Sequence, residues 1–494
     1  MHHSHQQSET PLLTALQTCA ARDHAPFHTP GHKRGQGLDD RLRNLLHQAF
    51  LADLPELPEL DNLFTPTGVI QQAQILAAEA FGAEQTWFLA NGSTSGVIAA
   101  ILATCQPGDK VILPRNVHRS AISGLILAGV NPIFLLPAYD AASDLAHGVD
   151  ATTIARALQQ HPDTKAILLV SPTYYGVCSD IASIYQITHQ YDIPLIVDEA
   201  HGSHFGFHPN LPASALSLGA DIVIQSTHKT LSGLTQAAML HCQGHRIDRD
   251  RITQALQLVQ STSPNYLLLA SLDAARWQIV HHGHSLLDHA LNLADRARST
   301  LLGIPGISLL QRPESAQSGF HNLDPLRLTI TVSSLGLTGW QADEMLTETF
   351  GVTCELPTLH HVTFIITHGN TETEIDRLVE AVKTLAQQQQ NYIAQPPSPQ
   401  FQDRMEYETV IAPRDAFFAA SQPVAIADAI GQVSAELICP YPPGIPLLMP
   451  GERITPAAIA VLQQVLAIGG CITGNQDPTL QSIRIVVNQS HQSI

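Results

Sequence analysis

Short apolar runs alternate with stretches of helical periodicity through the first half of the chain, and this alternation constrains the fold more than any other feature. The spacing predicts strands over residues 85–89, 110–113, 131–136, 166–170, 194–197, 221–224 and 237–241. Between them, residues 95–104, 119–128, 152–161 and 181–191 suit helices. Such a pattern predicts an α/β domain with a mainly parallel sheet and helices on both faces. Sites in such sheets gather at the carboxyl ends of strands. After about residue 300 the texture changes. Residues 326–332 and 362–367 read as strands and 372–385 as a helix, which predicts a smaller α+β domain. Glutamines at 387–390 and the proline run at 395–400 mark a linker. The boundaries expected are an arm over 1–60, a large domain over 61–300, a small domain over 301–390, a Gln/Pro linker over 391–400 and a C-terminal domain over 401–494. Residues 483–487 close the chain as a strand.

Composition removes several function classes. With 43 acidic against 25 basic residues the formal charge is −18, and no Lys/Arg block exists, so no nucleic-acid partner is expected. No stretch approaches the ~18 apolar residues of a membrane helix. Met1 to Thr10 is polar and His-rich, unlike a signal peptide. The seven cysteines lie far apart, with no C-x-x-C pair and no zinc spacing, so a reduced, cytoplasmic setting is expected. Among the 26 histidines there is no His-Glu-x-x-His motif, and His281-His282 suits a surface helix, so no metal is expected.

The chemistry begins at Leu195-Ile196-Val197-Asp198-Glu199-Ala200-His201-Gly202, where an apolar strand delivers a carboxylate at its carboxyl end. D-E-A-H invites an NTPase reading, but the Gly-x-x-x-x-Gly-Lys-Ser/Thr phosphate loop that reading needs is missing. Taken alone, Asp198 could simply cap the next helix. It does not stand alone. The strand at 221–224 runs into Gln225-Ser226-Thr227-His228-Lys229, and Lys229 is one of only five lysines. A lysine at a strand end beside hydroxyls is placed for a Schiff base with an aldehyde cofactor. Ser226 suits a phosphate ester and His228 adds a proton donor. Upstream, Asn91-Gly92-Ser93-Thr94-Ser95-Gly96 opens an apolar helix, and helix N-termini with spare N–H groups bind anions.

These parts match what pyridoxal 5'-phosphate demands. Its phosphate would meet Ser93, Thr94, Ser95 and Ser226, its aldehyde carbon Lys229, and its ring nitrogen Asp198. A nearby carboxylate raises the pKa of that nitrogen, each unit being worth about 1.36 kcal/mol. His118 and His201 are candidates to contact the ring, with a surface loop histidine as the plainer alternative for each.

At these residues the chain resembles the bacterial ornithine/lysine/arginine decarboxylases, pyridoxal-phosphate enzymes of the transferase-like fold type I. The resemblance runs nearly end to end, through Phe27-His28-Thr29-Pro30-Gly31-His32-Lys33, Asp61-Asn62-Leu63, the loop at 91–96, Ser171-Pro172-Thr173-Tyr174-Tyr175-Gly176, Asp198 to Gly202, and Ser226 to Lys229 with Gln236. The run from Pro440 to Pro446 and Pro450-Gly451-Glu452 complete it. It implies Lys229 as the cofactor lysine, Asp198 as the pyridine partner and His118 as the stacking residue. Thr94, Ser95, Ser226 and His228 match phosphate-contacting positions. The implied activity is decarboxylation of lysine, arginine or ornithine to the amine and CO2, feeding polyamine metabolism, with Lys229 and His228 as candidate proton donors. The Pro-Gly-His-Lys motif begins by residue 30, without the N-terminal wing of the large enterobacterial members, so homodimers or tetramers are expected. In these the segments 27–33 and 61–63 would reach a neighbour's site. Two alternatives stay open: another fold type I enzyme, such as a cysteine desulfurase with Cys354 as nucleophile or an aminotransferase, and a non-catalytic cofactor-binding regulator. A basic substrate's distal cation needs a carboxylate. Glu436 is expected in that role and Asp61 is next, against the plainer reading of Glu436 as a solvated surface residue.

Overall fold

The structure of the protein is a computed structural model that describes residues 6–313, 317–389, 407–441, 445–467 and 470–487. The expected linker at 391–400 and part of the proline run at 440–446 lie outside the described residues. Each expected apolar run of the first half becomes a strand: β1 (Gln85–Leu89), β2 (Lys110–Pro114), β3 (Asn131–Leu135), β4 (Thr164–Val170), β5 (Leu195–Asp198), β6 (Ile222–Gln225) and β7 (Ala238–Cys242). β5, β6 and β7 are buried at every position, as expected of strands covered on both faces. Two compact units share the chain, residues 1–104 with 181–288 and residues 105–180 with 289–494.

In the first unit β5 and β6 pair in parallel, with Asp198 opposite Ile224. β7 pairs antiparallel with β6 and with β1. The connection from β6 to β7 carries only the four-residue helix Thr227–Thr230, too little to return the chain for a parallel crossover. Helices α1 (Pro11–Ala21), α2 (Val69–Phe81) and α3 (Gly92–Thr104) precede or follow β1. α3 packs tightly: a Cβ on Gly96 would lie 2.7 Å from Leu89 Cδ1 and 2.9 Å from Ile224 Cγ2. Only glycine lets the helix come so close to β1 and β6. The N-terminal segment is held on a long helix, Tyr266–Leu301, through the fully buried pair Asp273 and Arg276. Asp273 accepts the N–H groups of Leu12 (3.0 Å) and Leu13 (3.2 Å), and Arg276 donates to the carbonyls of Gln7 and Glu9. His281 and His282 lie exposed on this helix.

In the second unit β2 pairs in parallel with β3 and with β4. A four-stranded antiparallel sheet follows, centred on β8 (Arg327–Thr331) and β9 (His361–Ile365). The helix Glu372–Gln388 starts at a capping box of Thr371 and Glu374. The C-terminal part pairs β10 (Ser421–Ala425) with β13 (Ser482–Val486) and β11 (Cys439–Tyr441) with β12 (Cys471–Thr473). Ile438, Leu448, Leu462 and Ile483 form its core. The Pro450-Gly451-Glu452 motif gains a physical reason here. Gly451 sits at φ +92°, and a Cβ there would lie 2.2 Å from Ile411 O. Glu452 makes a buried two-pronged pair with Arg115, one contact being 2.7 Å, and Tyr407 stacks 3.8 Å from that guanidinium. Among the described residues no helix is long and apolar enough to cross a membrane.

Both carboxylates expected to meet the substrate's distal cation are occupied elsewhere, which corrects that expectation. Glu436 is 8% exposed; its Oε1 accepts Gln476 N–H (2.7 Å) and its Oε2 accepts Arg484 N–H (2.9 Å). It ties the turn before β13 to the strand itself. Asp61, at φ +68°, accepts five backbone N–H groups, from Asn62, Thr67, Gly68, Ile70 and Gln71. Burial pushes its pKa up, but the N–H groups of Thr67, Asn62, Gly68 and Gln71 together hold it below the usual carboxylate value. Asp61 therefore organises the entry to α2. Glu436→Gln turns one acceptor into a donor facing an N–H, an unsatisfied pairing worth about 1–3 kcal/mol. Urea melts are expected to register that loss of stability, with KM for the amino acid unchanged. A raised KM without a stability loss would restore Glu436 to the substrate.

Candidate active site

The site in the first unit is assembled at the ends of β5 and β6 and at the start of α3. β5 ends on Asp198, which is 5% exposed and accepts a 3.1 Å hydrogen bond from Ala200 N–H. Burial pushes its pKa up; the charge of Lys229 and the Ala200 N–H oppose this without cancelling it. β6 passes into Ser226 and the turn Thr227–Thr230, which presents Lys229. Lys229 Nζ lies 3.0 Å from Nε2 of the buried His201. Ser226 Oγ donates to Ser93 Oγ at 2.8 Å, bringing the hydroxyl after β6 to the first turn of α3. Ser95 Oγ donates to Gly92 O (2.8 Å), so this buried hydroxyl is committed to the backbone, while Thr94 is exposed on the same turn. His228 Nδ1 donates to Ala237 O at 2.9 Å. In the second unit His118 caps helix α4 (Arg119–Ala128), its Nδ1 accepting Ser120 N–H at 3.2 Å.

Two groups of residues here were not legible beforehand. On the face of the strands opposite Asp198, Glu199 accepts from Ala215 N–H (2.8 Å) and pairs with Gln225 Nε2 (2.7 Å). Gln225 Oε1 meets His241 Nε2 (3.2 Å), whose Nδ1 meets Thr86 Oγ1 (2.8 Å). The only hint in the sequence was an acid directly after Asp198. The second group is His208, His284 and Asp288, with Nε2 of His208 at 3.0 Å and Nδ1 of His284 at 2.9 Å from the carboxylate. His208 Nδ1 accepts Asn210 N–H, which leaves its proton on Nε2, facing Asp288. This tautomer makes a hydrogen-bonded cluster rather than a ligand set.

Cys354 does not suit a nucleophile. Burial, then Asp343, push its thiol pKa well up, away from the reactive thiolate. The second unit also holds a cavity of about 370 Å³, with Arg115, Asn116, Tyr174, Tyr407 and Leu447 among its walls.

A sequence model described as Orn/Lys/Arg decarboxylase, major domain, matches residues 10–374, and the model of the C-terminal domain of that family matches residues 395–472. The chain belongs to the Orn/Lys/Arg decarboxylase family. An arginine decarboxylase of Bacillus subtilis is 40% identical, covering 98% of this chain and 99% of its own length. Another, of Bacillus anthracis, is 36% identical over 97% of this chain and 98% of its own. The lysine decarboxylase LdcF of Francisella novicida superposes with a TM-score of 0.82 at 21% identity, covering 98% of this chain and 82% of that one. This family member is thus a decarboxylase, with the α/β class that the alternation of its elements predicts and the fold type I architecture that the resemblance implies.

Asp198 in this decarboxylase offers a direct test of its environment. A carboxyl whose folded pKa is raised stabilises the fold fully only below its ordinary pKa, and that contribution is lost as pH rises through the raised value. Cofactor-free Asp198→Asn is therefore expected to melt higher than the cofactor-free parent in alkaline buffer, with the gap closing as the pH falls toward the ordinary carboxylate range. A variant that melts lower at every pH would mean that Asp198 is not held at a cost.

Proposed function

We propose that this decarboxylase converts arginine to its amine and CO2 with pyridoxal 5'-phosphate as cofactor. The observation that carries the reading is the lysine Lys229, hydrogen-bonded to a buried imidazole and within electrostatic reach of a buried, destabilised carboxylate. The fit to the cofactor rests on the same residues. Asp198 accepts a hydrogen bond from Ala200 N–H, and its raised pKa marks a carboxylate short of positive charge, as a pyridinium N–H would supply. The hydroxyls of Ser93, Thr94 and Ser226, with the backbone N–H groups of the first turn of α3 that includes Ser95, supply the donors for a phosphate. Bound pyridoxal phosphate would supply an aldehyde for an amine and a cationic ring to take up the electron pair left when the carboxylate departs.

The chain's own groups do the rest. His201 Nε2 takes a proton from Lys229 Nζ, leaving the amine nucleophilic, and returns it later. Asp198 would favour a proton on the ring nitrogen of the bound cofactor by its charge. The family resemblance implies His118 as the residue that would cover the ring of the bound cofactor. As the bond between Cα and the carboxyl carbon breaks, CO2 leaves and Lys229 Nζ delivers a proton to Cα. Arginine is preferred over lysine and ornithine because the full-length relatives of highest identity described above are arginine decarboxylases. Its amine would feed polyamine synthesis.

Two further readings belong to the proposal. Phe27 is 95% exposed and Leu45 73%, and the helix Asp40–Leu46 buries no residue, so this N-terminal stretch suits burial against a second copy in a homodimer. Among the described residues no disulfide joins the seven cysteines, and most of them are buried, which suits the cytoplasm.

The test is to incubate the protein and pyridoxal phosphate with arginine, lysine and ornithine separately and to identify the amine and CO2. Arginine is expected to react fastest, and no CO2 from any of the three would overturn the proposal. Lys229→Ala is expected to abolish turnover and the visible absorption of the bound cofactor, while the melting of the cofactor-free protein stays close to that of the parent. A Lys229→Ala variant retaining turnover would remove the lysine from the mechanism.

A further inference from the structure

We propose that Glu199 is a positioning residue for the reaction: its bond to Gln225 fastens the end of β5 to the end of β6 and so fixes Asp198 relative to Ser226 and Lys229. The inference rests on the reading of Asp198 and Lys229 given above.

The placement is direct. Glu199 follows Asp198 in sequence, and Gln225 precedes Ser226. Side chains alternate along a strand, so Asp198 faces one side of the pair while Glu199 and Gln225 face the other. Each strand end thus carries a site residue forward and a fastening residue behind. Glu199 is 2% exposed and Gln225 1%, so the 2.7 Å bond between them lies in the interior. The other oxygen of Glu199 accepts Ala215 N–H, anchoring the loop that follows the site. A further backbone bond, from Glu199 N–H to Ile224 O at 2.9 Å, extends the β5–β6 pairing one step past Asp198.

The fastening does not end at Gln225. Through His241 to Thr86 the chain of hydrogen bonds crosses from β5 over β6 and β7 to β1, the strand that leads into Ser93. Phe81 stacks on His241 at 4.8 Å and seals it. Burial pushes Glu199 up to about 8, against the bonds from Gln225 and Ala215, and pushes His241 down to about 3. An acid that is neutral near pH 7 must donate, and the chain allows it. With the Gln225 amide turned over, Glu199 donates to its oxygen, its NH2 donates to His241 Nε2, and His241 Nδ1–H donates to Thr86. With Glu199 ionised, every bond runs the other way. Both arrangements keep every bond of the chain, so the fastening survives either protonation state.

A glutamine at 199 fits the same pattern: its oxygen accepts Ala215 N–H and its NH2 donates to Gln225. Methionine keeps the volume and removes the bonds. In the cofactor-loaded enzyme, Glu199→Gln is expected to keep kcat within about threefold. Glu199→Met is expected to lower kcat roughly 10- to 100-fold, with KM changed less than about threefold, since misplacement of catalytic groups by about 1 Å costs on that order. In the cofactor-free protein, hydrogen exchange read by mass spectrometry is expected to quicken over residues 198–204 and 226–231 in Glu199→Met and not in Glu199→Gln. Asp273→Asn, which loosens α1 on its helix, is the control for general destabilisation, and it is expected to leave kcat unchanged.

Unchanged exchange or unchanged kcat in Glu199→Met would overturn the proposal. Equal loss of kcat in Glu199→Gln or in Asp273→Asn would overturn it too. If Glu199→Met does not fold, Glu199→Asp, one methylene short of reaching both partners, is judged by the same measurements. Should the parent protein take up no cofactor, the functional reading fails, whereas the exchange measurements still decide whether Glu199 fastens the two strand ends.

Discussion

The parallel register of β5 on β6, with Asp198 opposite Ile224, is the constraint on which the candidate site depends. It brings the two strand ends to one level, so Ser226 and the turn bearing Lys229 emerge next to the carboxylate. A slip of one residue would turn Asp198 to the reverse face and send Glu199 forward. Gly96 adds the third part, because any larger residue would lift α3 from Leu89 and Ile224 and carry its first turn away from Ser226. Three elements far apart in sequence are thereby fixed by one strand pairing and one close helix–strand approach.

Within that frame the buried and half-buried carboxylates divide by how their charge is met. Asp61 is surrounded by backbone N–H groups, Glu436 by two, Asp273 by Arg276 and the start of α1, and Glu452 by Arg115. Glu199 is met by a neutral amide and a pKa pushed up to about 8. Each answers the cost of taking a charge out of water with a partner or with a proton. Asp198 is met by a single N–H and by the charge of Lys229, and its pKa stays raised. Burial raises the pKa of Asp273 as well, but there Arg276 and two N–H groups are already in place, so among these carboxylates Asp198 is the one whose surroundings suit a further cationic partner.

The strands were readable because burial on both faces makes them continuous apolar runs, and Lys229 stood out because lysine is scarce. β1 and the helix Arg119–Ala128 have the bounds expected, and β5, β6 and β7 are each displaced by one residue, within the fraying of element ends. Carboxylate roles were the weak point. Whether Glu436 faces a substrate or the backbone is decided by N–H groups at 476 and 484, which adjacency in sequence does not reveal. The same holds for Arg115 and Glu452, and for the chain from Glu199 to Thr86, which needs the strand order before it can be seen. A motif names the residue; its partners come from the tertiary structure.

Histidine carries this point into the chemistry. A carbonyl can only accept, so His228 Nδ1 holds a proton against Ala237 O, and in the neutral ring Nε2 is then an acceptor. His118 is the reverse, with Nδ1 accepting Ser120 N–H and the proton on Nε2. His201 places Nε2 against an amine that can give or take. Of the two proton donors considered for Cα, His228 would have to carry a second proton before donating from Nε2, whereas Lys229 has several N–H bonds and a buried imidazole at 3.0 Å to exchange with. In the proposed reaction the backbone carbonyl at 237 thus leaves Lys229 the better-suited donor, through a hydrogen bond that fixes which nitrogen of a neighbouring ring is already occupied.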